Sequence, residues 1–173
     1  MNRETMLYEL ITERLVLRSL DERTLLNLSR SIMDGPTLKG LRVPKGWPMD
    51  VLLDALPVMF NDLSDAPSSF GWHAWVVADK ATGEVLGDAG FKGPPDETGA
   101  VEMGFSILPE HRGRGYAKEA VRALLDHAFA SGRVRTIIAE CEEGNLASSR
   151  ALTGSGFEIE MKRGNRAYYT RKV

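Results

Sequence analysis

The segment Leu108-Pro109-Glu110-His111-Arg112-Gly113-Arg114-Gly115-Tyr116-Ala117 has residue types and spacing suited to holding an anion. It lies between a strand pattern and a long amphipathic helix pattern. The first N–H groups of a helix have no partner inside the helix, and the macrodipole leaves that end partly positive. Gly113 and Gly115 carry no Cβ, so an anionic group can approach the backbone closely. Arg112, Arg114 and Lys118 add positive charge at the same point. The combination suits a pyrophosphate; the alternative is a strand-to-helix turn with solvated arginines. Two better-known phosphate loops are excluded. The dinucleotide fingerprint requires a third glycine at position 118, where Lys stands, and no Gly-Lys-Ser/Thr is present.

Other reactive residue types are sparse. His73, His111 and His127 are far apart and show no metal spacing, so no metal is expected. Cys141 is the one cysteine; it ends a core-type strand and reads as a small buried apolar residue, without an internal disulfide. The chain has 173 residues with 22 Lys+Arg against 24 Asp+Glu, a formal charge of −2. That length predicts a single domain over 1–173 with a full core. The charge balance argues against a polybasic nucleic-acid arm or a disordered chain. The longest apolar stretch, Val51 to Phe60, is broken by Asp54 and Pro57, short of the ~18 residues of a membrane span. The start, Met1-Asn-Arg-Glu-Thr, lacks the apolar core of a signal peptide. These features predict a cytoplasmic protein with no nucleic-acid or membrane partner.

The elements that must position the loop follow from periodicity. Ile11 to Arg18 alternates as a strand with Leu15 and Leu17 inward. Ser19 or Asp21 can cap a helix carrying Leu25, Leu26 and Leu28, which Asp34-Gly35-Pro36 ends. Residues 36–48 form a loop with Trp47 as its large apolar anchor. A second helix over 49–63 contains Pro57, which predicts a kink or two short helices. Strands at 75–78, 85–92 and 100–108, linked by turns, make an antiparallel meander. A long helix from Tyr116 to Phe129 stops at Gly132, and Val134 to Cys141 is a β-branched strand. Leu146 to Thr153 is a short helix that Asn145 can cap, and 157–161 with 167–171 form a closing hairpin. Strand 100–108, helix and strand 134–141 make a right-handed β-α-β unit with parallel strands. The fold class is mixed α/β: a mostly antiparallel central sheet, one parallel β-α-β core and flanking helices.

Arg112-Gly113-Arg114-Gly115-Tyr116-Ala117 resembles the Arg/Gln-x-x-Gly-x-Gly/Ala signature of the GNAT superfamily of acyl-CoA-dependent N-acetyltransferases. Asn145-Leu146-Ala147-Ser148 through Gly156-Phe157 resembles the family's Asn-x-x-Ala/Ser…Gly-Phe segment. Thr12-Glu13-Arg14-Leu15-Val16-Leu17-Arg18 resembles the first strand of the Rim-type branch, which includes acetyltransferases of ribosomal-protein N-termini. Together the matches span nearly the whole chain and leave 31–72 least covered.

The resemblance implies that Arg112 to Ala117 bind the pyrophosphate of acetyl-CoA. It implies that the two parallel strands splay apart, and that pantetheine lies between them against Phe105, Ser106 and Ile107. Asn145 would reach the pantetheine arm, or cap its helix, or both. An oxyanion would be met by a backbone N–H at Ser106 or Ile107, and Glu102 would take a proton from the acceptor amine. Glu102 could instead be an outward carboxylate paired with a basic neighbour. Many members place a proton-donating Tyr seven residues after the Asn; here Leu152 stands there, and Ser148 takes the role of acid, unless it bonds its own backbone. Tyr168 and Tyr169 alternate faces, so one can face the cleft, and Trp47 and Trp72 flank the region that would form an acceptor pocket. The implied reaction is acetyl transfer to a primary amine, a protein N-terminus or a small molecule. A non-catalytic acyl-CoA sensor and a nucleotide-binding module are the alternatives. The closing strands could pair between subunits as a homodimer.

Overall fold

The computed structural model describes residues 8–173; the charged start at 1–5 lies outside the described residues. Eight strands form one sheet: β1 Glu9–Ile11, β2 Leu15–Ser19, β3 Ala74–Asp79, β4 Val85–Phe91, β5 Ala100–Ile107, β6 Thr136–Glu142, β7 Glu158–Arg163 and β8 Arg166–Lys172. Their spatial order is β1-β2-β3-β4-β5-β6-β8-β7, and β5 with β6 is the parallel pair. Four α-helices accompany them: α1 Glu22–Ser29, α2 Asp50–Asp65, α3 Tyr116–Ala130 and α4 Leu146–Thr153. The mixed, mostly antiparallel α/β architecture is therefore the one expected.

Successive strand residues point to opposite faces, which divides the apolar residues into two cores. One core joins Leu15, Leu17, Trp75, Val77, Phe91, Val101 and Met103 to Val121, Leu124 and Leu152 of α3 and α4. The other joins Val76, Val85 and Leu108 to Leu20, Leu25, Leu28, Trp47 and Leu56 from α1, α2 and the loop between them. On this second face, β5, β6 and β8 carry Glu102, Glu140 and Tyr168, all half-buried.

Four local expectations need correction. The first strand is two: Thr12, Glu13 and Arg14 form a turn between β1 and β2. Thr12 closes it, its N–H donating to the Leu15 carbonyl and its Oγ1 accepting from the Leu15 N–H, both at 2.9 Å. Second, α2 runs unbroken through Pro57. The carbonyl deprived of its donor belongs to Leu53, on the exposed side, where solvent can satisfy it. Third, β6 begins at Thr136, because Arg135 and Thr136 N–H both donate to the Gly99 carbonyl ahead of the ladder. Fourth, the closing hairpin is longer than expected, with its turn confined to Gly164-Asn165. Asp21, rather than Ser19, caps α1, accepting from Thr24 N–H at 3.0 Å.

Candidate functional site

The site begins where β5 loses a neighbour. The parallel register runs from Ala100↔Thr136 to Met103↔Ala139 and stops, while β5 continues to Ile107 and β6 to Glu142. Beyond that point β5 stays paired only with β4, from Gly104↔Gly90 to Ile107↔Gly87. The strands thus part into a wedge.

Ladder parity decides which backbone groups face it. Lys92 N–H donates to the Glu102 carbonyl and Leu108 N–H to the Leu86 carbonyl, both at 2.9 Å. In an antiparallel pair such bonds recur every second residue, so Gly104 and Ser106 also turn their backbone toward β4. The Gly99 carbonyl, of opposite parity, accepts from Thr136 at the foot of β6. Phe105 and Ile107 therefore aim their N–H and carbonyl groups into the wedge. Arg112 Nε takes the Ile107 carbonyl at 2.8 Å. This corrects the expectation for Ser106: its N–H is committed to β4, and its hydroxyl lies 3.3 Å from Met49 Sδ. The donor left for an oxyanion is the Ile107 N–H.

At the mouth of the wedge the chain turns through Pro109–His111 into α3. Gly115, the residue preceding α3, has φ +82°, and Gly113 has φ +75°, both in the left-handed region that glycine enters without cost. No side chain caps this helix. The first α3 N–H with a protein acceptor is that of Glu119, which donates to the Gly115 carbonyl. Among the described residues, the six consecutive N–H groups from Gly113 to Lys118 have none. They form a concave row of donors at the positive end of a 15-residue helix, the arrangement that binds phosphate oxygens.

The Thr12-Glu13-Arg14 turn clasps this loop from outside. Glu119 Oε1 accepts from Thr12 Oγ1 at 2.6 Å and from Arg14 N–H at 2.8 Å, and Glu119 Oε2 accepts from Arg14 Nε at 2.7 Å. Arg14 also donates to the Arg114 carbonyl at 2.9 Å and lies 4.7 Å over the Tyr116 ring. Burial opposes ionisation of Glu119, but the bonds from Thr12 and Arg14 outweigh it and hold the carboxyl below the ordinary range.

A cavity of about 480 Å³ is lined by Phe105, Ser106, Ile107, Arg112, Gly113, Gly115, Tyr116 and Ala117, with Asn145 and Ser148 opposite. Of the residues named from sequence, Arg114 and Glu102 are outside its lining. Asn145 Oδ1 accepts from Ser148 N–H at 3.0 Å, so the capping role is real, and its amide nitrogen has no partner among the described residues. The Ser148 hydroxyl bonds no backbone there either. Leu152 is fully buried in the core, far from supplying any proton. Glu102 pairs with Lys92, which also lies 3.8 Å from Glu140. Of the two tyrosines, Tyr169 is buried, donating to Ser149 Oγ at 2.9 Å, whereas Tyr168 shares the open face with Glu102. His111 borders the cavity with Nε2 3.6 Å from Glu84. A larger groove of about 690 Å³ runs along the outer side of α3, lined by both acidic (Glu13, Glu119, Asp126) and basic (Arg14, Lys118, Arg122) residues.

The residues 14–158 match the family model of the GNAT acetyltransferase domain. The chain belongs to the GNAT family. YjdG of Bacillus subtilis, named as an uncharacterized N-acetyltransferase, is 32% identical over 87% of this chain and 90% of its own length. An L-methionine sulfoximine/L-methionine sulfone acetyltransferase of Pseudomonas paraeruginosa is 37% identical over 55% of this chain and 56% of its own. The structure of RimL, a ribosomal L7/L12 α-N-protein acetyltransferase in complex with coenzyme A, superposes with a TM-score of 0.69 at 17% identity, over 95% of this chain and 97% of that one. This GNAT chain is an acetyl-CoA-dependent acetyltransferase. Among the described residues, no helix is long and apolar enough to cross a membrane. Two features escaped the sequence reading: the clasp of Thr12 and Arg14 on Glu119, and the buried carboxylate of Asp88. Hydrophobic periodicity reports neither, because both depend on contacts between distant segments.

Proposed function

We propose that the chain transfers acetyl from acetyl-CoA to a primary amine, with the amine attacking the thioester directly in a ternary complex. The observation that carries this is the row of six unpartnered N–H groups, 113–118, at the mouth of the β5–β6 wedge. Those amides, with Arg112, Arg114 and Lys118, hold the diphosphate. Phe105 and Ile107 present backbone groups to pantetheine, Ser106 and Tyr116 bound its channel, and the Asn145 amide reaches it from the far wall. The Ile107 N–H stabilises charge developing on the thioester oxygen.

Two side chains carry the proton steps. Glu102, on the open face one residue before the last β5–β6 ladder pair, takes the proton that an ammonium must lose before its nitrogen can attack. Ser148, whose hydroxyl is unengaged beside the cavity, serves the departing thiolate in place of the tyrosine that Leu152 excludes. The Pseudomonas relative is named for small amino-acid analogues and RimL for a protein N-terminus, and both classes present a primary amine.

The test is thiol release from acetyl-CoA across a panel of peptide N-termini and small amines, with two variants. Gly113 has open space around an added Cβ, and Asn and Asp both tolerate its left-handed backbone. Gly113→Asp places a carboxylate among the free amides, whereas Gly113→Asn makes the same backbone demand without charge. Turnover with a primary amine is expected, with KM for acetyl-CoA at least tenfold higher in the Asp than in the Asn variant. Equal KM values would reject the diphosphate site.

A further inference from the structure

Asp88 is a buried carboxylate that no cation balances. It lies within β4, in register with Val76 of β3 and Ser106 of β5, and is 9% exposed. Its Oδ2 accepts from Trp47 Nε1 at 3.1 Å. Among the described residues nothing donates to Oδ1, yet that oxygen is not sealed from solvent. The groups facing Asp88 are Val76, Ser106 and Trp47, with Met49 over Ser106, and none of them titrates near neutrality. Lys92, on the same face of β4, is about 13 Å along the strand and already paired with Glu102, and at the strand's other end Glu84 is paired with Arg42 and faces His111. Burial pushes the Asp88 carboxyl up to about 7, with the Trp47 bond pulling it back. Accepting one indole N–H does not require a carboxylate; an amide oxygen would do so without the cost of burying charge.

Its place in the sheet suggests what the charge is for. Cross-strand partners share a face, with Cβ atoms about 5 Å apart. Asp88 therefore stands beside Ser106, one strand in from the wedge, on the face opposite α3. The 39–49 loop, anchored by Trp47, covers it. Its neighbour Ser106 lines the wedge cavity together with Ile107, which sets Asp88 directly behind the cavity wall.

Building on the transferase function proposed above, we propose that Asp88 is the counter-ion of the acceptor's ammonium group, so that the enzyme selects primary alkylamines, which arrive as cations, over arylamines, which arrive neutral. Asp88 binds and orients the amine, and Glu102, about 13 Å further along the sheet, takes the proton through intervening water. Ionisation of Asp88 is required for this binding, so kcat/KM for the amine falls as pH drops through the Asp88 pKa.

Steady-state acetylation of propylamine, 1,4-diaminobutane and aniline tests this, with coenzyme A binding followed by calorimetry on the same samples. Asp88→Asn keeps an oxygen for Trp47. It is expected to raise the alkylamine KM at least tenfold, leave kcat within about threefold and leave coenzyme A affinity unchanged. Trp47→Phe keeps the carboxylate but removes the bond that lowers its pKa, so the acid limb of kcat/KM should move to higher pH; in Asp88→Asn that limb should vanish. An unchanged alkylamine KM in Asp88→Asn, an unmoved limb in Trp47→Phe, or equal use of aniline and propylamine by the wild type would each overturn the proposal while leaving the transferase function intact. Failure of every amine to release coenzyme A from acetyl-CoA would overturn both.

Discussion

Asp88 makes a prediction about folding that is independent of turnover. Its pKa is raised from the ordinary 3.8 to about 7. Between those values the folded chain holds a proton that the unfolded chain has released, so this group's contribution to stability falls as pH rises. The slope is at most ~1.4 kcal/mol per pH unit. His73 and His127, both lowered by burial, favour the folded state as pH rises through the same region, so the informative quantity is a difference. Asp88→Asn should gain on the wild type in chemical denaturation at pH 8 and lose that advantage by pH 5. A constant difference would mean that Asp88 titrates as it does in the unfolded chain. From sequence, Asp88 was one acidic residue in an otherwise apolar strand with two glycines. Only the register, which sets it between Val76 and Ser106 under Trp47, gives it an environment. Ser148 lines the cavity as its motif implied, whereas Glu102 is paired with Lys92 outside the lining, and Ser106 needed the ladder parity to show that its N–H is committed.

The elements that build the site were legible where periodicity is strong. The α3 stripe of Ala120, Val121, Leu124, Leu125 and Ala128 is buried as its spacing implies, and α4 occupies the residues expected. The β1–β2 turn was not legible, because Thr12 and Arg14 alternate as strand residues and only the Thr12–Leu15 closure reveals the reversal. That turn is a support for the phosphate loop: Arg14 grips Glu119 and the Arg114 carbonyl together. The pair is partly exposed, so its worth to global stability is modest, about 1 kcal/mol or less. Its effect on the loop should be larger. Arg14→Ala is expected to raise KM for acetyl-CoA three- to tenfold while leaving KM for the amine and the midpoint of unfolding nearly unchanged. If both substrates suffer equally, the clasp does not act on the loop.

At the scale of the molecule, the proposed function sets the two substrates on different sides of one strand. The 113–118 loop and α3 lie toward one face, and Asp88, Glu102 and Tyr168 lie toward the other, with the wedge between them. Cys141, the one thiol, is buried in the α3-side core and offers no acyl carrier. The direct attack proposed above requires both substrates to be bound before chemistry, so double-reciprocal plots against acetyl-CoA at several amine concentrations should intersect; parallel lines would indicate a covalent acetyl-enzyme. The region between α1 and β3 was least legible, since residues 36–48 carry no periodicity and gain their order from distant partners: Thr37 on Ser19 and Asp21, Arg42 on Gly83 and Val85, and Trp47 on Asp88. The central claim is that backbone N–H groups 113–118 bind a diphosphate, and calorimetric titration with coenzyme A and with pantetheine tests it most directly. Pantetheine keeps the thiol arm and lacks the diphosphate. Coenzyme A is expected to bind at least a hundredfold more tightly; equal affinities would contradict the account.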